Sequence, residues 1–180
     1  IGTRGDDWNY QGSFDYGVIA CGLAGDDAVS DVFGDFFGGP GDDDSGSELF
    51  GLFVGGPGND RSWVDGAGRF EGGPGDDTAR RVSGTFDGGP GADTAYWVDG
   101  SFSGGPGNDR VLNSPDSGLG NLGTFDGGPG KDSVEENKGT FIGGTGNDHV
   151  DVNYGTFIGG PGYDTVGENH GICIGVEAGC

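Results

Sequence analysis

The chain has little of what builds an ordinary globular core. Met is absent, hydrophobic residues make up only 31% of the 180 positions, and 8 Lys and Arg face 30 Asp and Glu. The resulting net charge of −22 argues against nucleic acid and against anionic membranes as partners. No apolar run approaches the ~18 residues that a membrane-spanning helix needs, so no membrane insertion is predicted.

The chain also lacks the side chains of most catalytic centres. His149 and His170 are the only 2 histidines. Neither has a Cys, Ser or carboxylate partner in the spacing of a nucleophilic site, so we expect no enzymatic activity. The 3 cysteines leave two pairings open. Either Cys173 bonds to Cys180 while Cys21 stays free, or Cys21 bonds to Cys180 of a neighbouring copy in a head-to-tail stack.

Glycine, by contrast, is abundant and periodic, with 46 residues in the chain. A hexapeptide, Gly-Gly-Pro-Gly-x-Asp or a variant of it, occurs ten times, mostly at intervals of 16 or 17 residues. Residues 2–7 and 22–27 are degenerate copies, and the first glycines of the others are Gly38, Gly55, Gly72, Gly88, Gly104, Gly127, Gly143 and Gly159. The sixth position is always Asp, at Asp7, Asp27, Asp43, Asp60, Asp77, Asp93, Asp109, Asp132, Asp148 and Asp164.

Three further columns share this period. A Phe follows a second glycine by two residues, at Phe14, Phe36, Phe53, Phe70, Phe86, Phe102, Phe125, Phe141 and Phe157, with Cys173 in the tenth copy. A small or β-branched residue follows the sixth-position Asp by two, at Val29, Ala79, Ala95, Val111, Val134, Val150 and Val166. A third column changes from valine to asparagine, at Val32, Val82, Val98, Asn121, Asn137, Asn153 and Asn169.

A repeat of this length with phased core positions predicts an all-β, right-handed parallel β-solenoid of about ten coils with two short strands per coil. The Phe side chains would stack about 4.8 Å apart inside it, and the asparagines would form an internal ladder. Residues 1–180 are predicted to form one domain. Loop insertions are expected near 15–21 and 114–120, where the spacing is longer, and residues 175–180 are expected to be a C-terminal tail or cap.

The turn chemistry suits calcium, because glycine exposes main-chain carbonyls and Asp adds a carboxylate oxygen. Residues 143–151, Gly-Gly-Thr-Gly-Asn-Asp-His-Val-Asp, fit every position of the haemolysin-type RTX repeat, which this chain resembles over nearly its whole length. The resemblance implies that the turn carbonyls and the ten Asp hold Ca²⁺ between stacked coils. RTX repeats run at nine residues, whereas here each coil of 16 or 17 residues carries one motif, so a single row of ions is expected along one edge.

Calcium binding leads to several functional expectations. Up to about nine Ca²⁺ between ten turns would cancel most of the net charge of −22, so folding should depend on calcium. The alternative is that the Asp residues only cap the turns. A secreted or cell-surface location is expected, because extracellular calcium fills weak modular sites. The leading function is a structural rod, with self-assembly end to end; a surface spacer or adhesin from a longer secreted protein is another.

Ice binding is a third function, suggested by a resemblance to calcium-bound antifreeze solenoids with flat Thr and Asn rows. The row before the Phe column becomes Thr-rich only in its second half, and reads Ser13, Asp35, Leu52, Arg69, Thr85, Ser101, Thr124, Thr140, Thr156 and Ile172.

Overall fold

The structure is a computed structural model that describes Gly5, the backbone of strand Tyr10–Phe14 and residues 16–180. The described residues form strands and turns without any helix. Among them there is accordingly no helix with the length and apolar character to cross a membrane.

Twenty short strands form two parallel sheets of ten strands each. The odd-strand sheet contains β1 (Tyr10–Phe14), β3 (Val29–Val32), β5 (Glu48–Leu49), β7 (Arg61–Val64), β9 (Thr78–Val82), β11 (Thr94–Tyr96), β13 (Arg110–Leu112), β15 (Ser133–Asn137), β17 (His149–Asn153) and β19 (Thr165–Asn169). The even-strand sheet contains β2 (Ile19–Cys21), β4 (Asp35–Phe37), β6 (Leu52–Val54), β8 (Arg69–Glu71), β10 (Thr85–Asp87), β12 (Ser101–Ser103), β14 (Thr124–Gly130), β16 (Thr140–Gly146), β18 (Thr156–Ile158) and β20 (Ile172–Ile174).

Each coil contributes one strand to each sheet, and strands pair with their counterparts one coil away. Corresponding repeat positions meet in register, as in Phe86 with Phe102 and Val134 with Val150. A single coil cannot bury its own apolar side chains, whereas a stack of coils can. The predicted parallel β-solenoid of about ten coils, with two strands per coil, is therefore confirmed.

The core of the rod is the predicted phenylalanine column. Eight rings from Phe36 to Phe157 are buried and stacked, with 4.6–5.1 Å between successive ring centroids and 4–9° between their planes. The assignment of Phe14 to this column is wrong. Phe14 lies in β1 and pairs with Val32, and Ala20 of β2 is the partner of Phe36. The same register pairs Ser13 with Asp31. The outward row one residue before the phenylalanine column therefore begins with Ile19, which pairs with Asp35, and does not include Ser13.

The inner face of the odd-strand sheet also follows the predicted columns, with one exception. The asparagine ladder is present, since Asn121, Asn137 and Asn153 each donate from Nδ2 to Oδ1 of the next asparagine over 2.8–2.9 Å. Ser45 and Ser62 are buried in the column otherwise filled by Val and Ala. Their hydroxyl groups hydrogen-bond to each other at 2.7 Å, so each buried hydroxyl has a hydrogen-bond partner in an apolar environment.

The regions of longer spacing differ from one another. Of the segment expected to be a loop near 15–21, Ile19–Cys21 forms strand β2, so the extra length there does not lie in a loop alone. Residues 113–120 contain no strand and fold back on themselves, with the N–H of Gly118 donating to the carbonyl of Ser114 at 2.7 Å. At the other end of the rod, Cys173 and Cys180 form a disulfide and Cys21 is free and exposed.

Candidate metal site at the glycine turns

The repeated turns lie along one edge of the rod, where each even strand leads into the next odd strand. Successive turns hydrogen-bond directly to each other. In one turn the N–H groups of Gly72, Gly73 and Gly75 donate to the carbonyls of Asp87, Gly88 and Pro90 in the following coil over 2.8–3.0 Å. The main-chain ladder of the two sheets thus continues through the turns.

Two glycines of the turn are required because the coils approach so closely. Gly73 has φ +111°, a conformation that L side chains rarely adopt, and a Cβ there would lie 2.5 Å from the carbonyl oxygen of Gly56. A Cβ on Gly75 would lie only 1.7 Å from the carbonyl oxygen of Gly58. The second and fourth glycines therefore set the coil spacing.

The first glycine of each turn has a different role. A Cβ on Gly72 would lie 2.1 Å from Oδ2 of Asp77, the sixth residue of the same turn. The first glycines thus leave space for the carboxylates. Every first glycine in the described part of the chain lies beside the predicted sixth-position Asp of its own turn. The same arrangement recurs at Gly38, Gly55, Gly88, Gly104, Gly127, Gly143 and Gly159.

The sixth-position Asp side chains form a buried ladder. Oδ1 of Asp93 accepts the N–H of Asp77 at 2.8 Å, and Oδ1 of Asp109 accepts the N–H of Asp93 at the same distance. Nine such carboxylates, from Asp27 to Asp164, are at most 3% exposed. The ladder ends where Glu177 Oε2 accepts the N–H of Asp164 at 2.7 Å, so a glutamate of the tail takes the place of the next Asp. Asp7 lies outside the described residues.

Eight of these carboxylates have a second oxygen that finds no comparable partner among the described residues. Oδ2 is buried without a hydrogen bond in Asp43, Asp60, Asp77, Asp93, Asp109, Asp132, Asp148 and Asp164. A buried ionised oxygen without a partner is costly, so the proton is held more tightly than in water.

The pKa values of these side chains follow from that burial. Desolvation raises the pKa of Asp60 and Asp93 to about 8, although the accepted N–H bond opposes the rise and neighbouring carboxylates add to it. The same causes raise the pKa of Asp43 and Asp132 to about 7. Burial raises the pKa of Asp109 to about 6, and the N–H bond that it accepts from Asp93 opposes the rise.

The fifth turn position carries a second ladder that the sequence did not reveal. Oδ1 of Asp42 accepts the N–H of Asn59 at 2.7 Å, and Oδ1 of Asn59 accepts the N–H of Asp76 at 2.8 Å. These side chains accept from the coil that follows, whereas the sixth-position side chains accept from the coil that precedes. Lys131 and Tyr163 occupy the same position without supplying an acceptor, which hid the pattern.

The turn offers main-chain oxygens beside the carboxylates. Within the described residues the carbonyls of Gly73 and Gly75 accept no hydrogen bond, and each faces the equivalent glycine of the next coil. No group of three or more His, Cys, Asp or Glu side chains is arranged to hold a metal in the part of the chain that the structure describes. A cation at this edge would therefore rely on main-chain oxygens and one carboxylate oxygen per coil, which is a donor set that fits hard Ca²⁺.

Comparison with protein-family models, with curated proteins and with solved structures gives no match to this chain.

Proposed function

We propose that the chain is a non-enzymatic, extracellular structural rod whose glycine-turn edge binds Ca²⁺. The observation that supports this is the row of buried Oδ2 atoms without hydrogen-bond partners. One such oxygen recurs at every coil from Asp43 to Asp164, and the turn carbonyls lie along the same edge. The resemblance to RTX repeats is consistent with the proposal.

Charge is the physical reason for a cation. Carboxylates repeated at the coil spacing repel one another in a poorly solvated environment, and each must be neutralised by a proton or by a cation. Protons are lost progressively as the pH rises through the raised pKa values. The residues that would hold Ca²⁺ are the sixth-position Asp, through Oδ2, together with main-chain oxygens of the turn. When bound, the ion supplies positive charge and replaces the missing hydrogen-bond donors.

A secreted or surface location belongs to the same proposal. Weak modular calcium sites have dissociation constants of about 10⁻⁴–10⁻³ M, which extracellular calcium fills. A rod that is loosely stable without calcium would become fully ordered after secretion.

A calcium titration tests the proposal. Circular dichroism and thermal melting at pH 7.5 would be followed in chelator and then in increasing Ca²⁺, with Mg²⁺ as the comparison ion. We expect the melting temperature to rise with Ca²⁺ by well over 10 °C, because several ions bind only the folded state. Equal melting temperatures in chelator and in millimolar Ca²⁺ would show that the Asp ladder only caps the turns.

End-to-end assembly belongs to this proposal without a disulfide between Cys21 and Cys180 of a neighbour, because Cys180 is bonded to Cys173. The tail also covers part of the last coil, where the N–H of Val166 donates to the carbonyl of Ala178 at 2.9 Å. Strand β20 is hydrogen-bonded to β18, and its Ile172 and Ile174 are exposed. A self-association surface at this end would therefore be centred on β20, and light scattering of Ile174→Lys against the unaltered chain tests it.

A second candidate function, ice binding, has one specific observation in its favour. Thr85, Ser101, Thr124, Thr140 and Thr156 pair in register on the outer face of the even-strand sheet, one per coil. The neighbouring row is irregular, since it contains Asp87, Asp126 and Ile142. Thermal hysteresis measured with calcium present, before and after Thr124→Tyr, tests the idea; absence of hysteresis in the unaltered chain eliminates it.

A further inference from the structure

We infer that the outer face of the odd-strand sheet carries a binding groove for an acidic oligosaccharide, separate from the glycine turns. The groove consists of two adjoining concavities of about 580 and 270 Å³, and both are lined by Arg61, Trp63 and Arg80. The larger volume lies within the range of about 300–1,000 Å³ typical of ligand sites.

The floor of the groove comes from three successive coils. Ser62, Ala79 and Ala95 are paired in register, and a β-bulge interrupts the pairing of β7 with β9 directly after Ser62. The residues that follow these three, Trp63, Arg80 and Tyr96, all line the larger concavity. Two aromatic side chains and a guanidinium group thus line one concavity. The chain contains only 3 Trp, and two of them, Trp63 and Trp97, line this groove.

The inserted residues 113–120 form one wall. This segment accounts for the longest interval between repeats, and the N–H of Asn113 donates to Glu135 Oε2 at 2.8 Å, which ties its start to the neighbouring coil. Ser114 and Asp116 from this segment line the larger concavity together with Thr78 and Trp97. An insertion that would otherwise be a plain loop therefore encloses a cavity against the sheet.

The arginines of the groove divide into two kinds. Arg81 is occupied, because it pairs with Asp65 and Asp99 at 3.4 and 3.5 Å and its guanidinium carbon lies 4.3 Å from the centre of the Trp97 ring. The side chains of Arg61 and Arg80 make no hydrogen bond and no ion pair within the described part of the chain. Both favour the charged form of Asp44 electrostatically, and so lower its pKa against the rise that burial causes. Their guanidinium donors are nevertheless left available for a ligand on a rod of net charge −22.

These groups match a sugar chain that carries carboxylates. Aromatic rings pack against the apolar C–H face of a sugar, and a guanidinium group binds a carboxylate with two parallel hydrogen bonds. Thr78, Ser114 and Asp116 provide hydrogen-bonding groups for sugar hydroxyls. The acids that face the groove are Asp44 at one end and Asp116 at the other, with Asp65 and Asp99 already bound to Arg81.

An extended peptide is a poorer match for this surface. Peptides often bind by adding a strand to an open sheet edge. Strands β7, β9 and β11, which form the floor, each pair with a strand on both sides, so they have no free edge. A ligand here must be recognised through side chains, as sugars are.

The test is calorimetric titration of the calcium-loaded chain with a hyaluronan tetrasaccharide, which alternates glucuronate and N-acetylglucosamine, and with the neutral tetrasaccharide of N-acetylglucosamine. Tryptophan fluorescence is followed in parallel, because Trp63 and Trp97 would sense a bound ligand. We expect the acidic sugar to bind and the neutral sugar to bind at least tenfold more weakly, because the loss of a charge-assisted hydrogen bond has an effect of this size.

Arg80→Gln is the diagnostic variant, because the side chain is exposed and its loss should leave the fold intact. We expect it to weaken hyaluronan binding about tenfold or more. Arg110→Gln is the matched control: Arg110 is an exposed arginine of the same sheet face, pairs with Thr94 and lies outside the groove, so binding should stay within twofold. The inference is overturned if neither sugar binds, if both bind equally, or if the two variants behave alike while circular dichroism shows both folded.

Discussion

Asp93 accepts the main-chain N–H of Asp77 through one carboxylate oxygen at 2.8 Å, while its other oxygen is buried without a hydrogen bond. The same side chain thus stabilises the stack of coils and brings into the interior an oxygen that must be neutralised by a proton or by a cation. The two oxygens can be separated experimentally, because an amide keeps the acceptor and removes the charge.

Asp93→Asn should stabilise the calcium-free rod and weaken calcium binding. The amide oxygen can still accept the N–H of Asp77, and the charge that is costly to bury is gone. We expect the free energy of unfolding in chelator at pH 7.5 to rise by about 1–3 kcal/mol. The number of Ca²⁺ bound, measured by calorimetry, should fall. Asp87→Asn is the control, because Asp87 is an exposed residue of β10, the strand that leads into the turn of Asp93, and its loss of charge should alter neither quantity much.

The calcium-free rod should become less stable as the pH rises. The pKa values of the ladder are raised from an ordinary 3.8 to between about 6 and 8. A carboxyl group with a raised pKa contributes stability that is complete below pH 3.8 and is lost as the pH rises through the raised value. Melting in chelator should therefore occur at a higher temperature at pH 5 than at pH 8.5. Saturating Ca²⁺ should remove most of this difference, and a higher melting temperature at pH 8.5 in chelator would contradict the prediction.

Phe102→Ala should destabilise the rod strongly. The Phe102 ring is 1% exposed and stacks between Phe86 and Phe125 at 4.6 and 4.7 Å. Truncation of such a side chain lowers the free energy of unfolding, measured by chemical denaturation, by about 3–5 kcal/mol. Phe37→Ala is a matched control, since Phe37 is 39% exposed on the outer face and should cost far less. Similar losses in both variants would mean that the column is not the main source of stability.

The Ser45 and Ser62 pair should show strong coupling. Ser45→Ala alone leaves the hydroxyl of Ser62 buried without its partner at a cost of about 1–3 kcal/mol. The double variant with Ala at both positions removes both polar groups, so it should be close to the unaltered chain or more stable. A double-mutant cycle from urea denaturation measures the coupling. Additive losses would show that the two hydroxyls do not depend on each other.

The parts of the fold that point inward were predictable from the sequence, because stacking imposes one residue type on each inward position. Phe86, Asn137 and Asp93 belong to columns whose members repeat with the period of the coils. Phe14 was assigned to the wrong column because the first coil has an irregular spacing, and the Gly-x-Phe pattern alone cannot define the strand register there. Ser45 and Ser62 were missed because a buried hydroxyl pair looks polar in the sequence.

Outward positions carry no comparable signal. Trp63, Arg80 and Tyr96 are chemically different, so nothing in the repeat pattern marks them as neighbours. Their relation to Ser114 and Asp116 depends on how residues 113–120 fold against the sheet, which spacing alone does not specify. The intrachain Cys173–Cys180 bond was one of two pairings that the sequence left open, and the local fold of the tail decides between them.

The direct hydrogen bonding of one turn to the next has a consequence for how the rod can change in length. The coils around Asp132, Asp148 and Asp164 repeat every 16 residues, and each presents the same donors and acceptors to its neighbours. A duplicated or deleted unit of 16 residues would therefore rejoin without a mismatch, whereas half a unit would place a buried Phe opposite an outward position such as Ser133 or His149. The gene can lengthen or shorten this protein in whole steps of one coil, about 4.8 Å each.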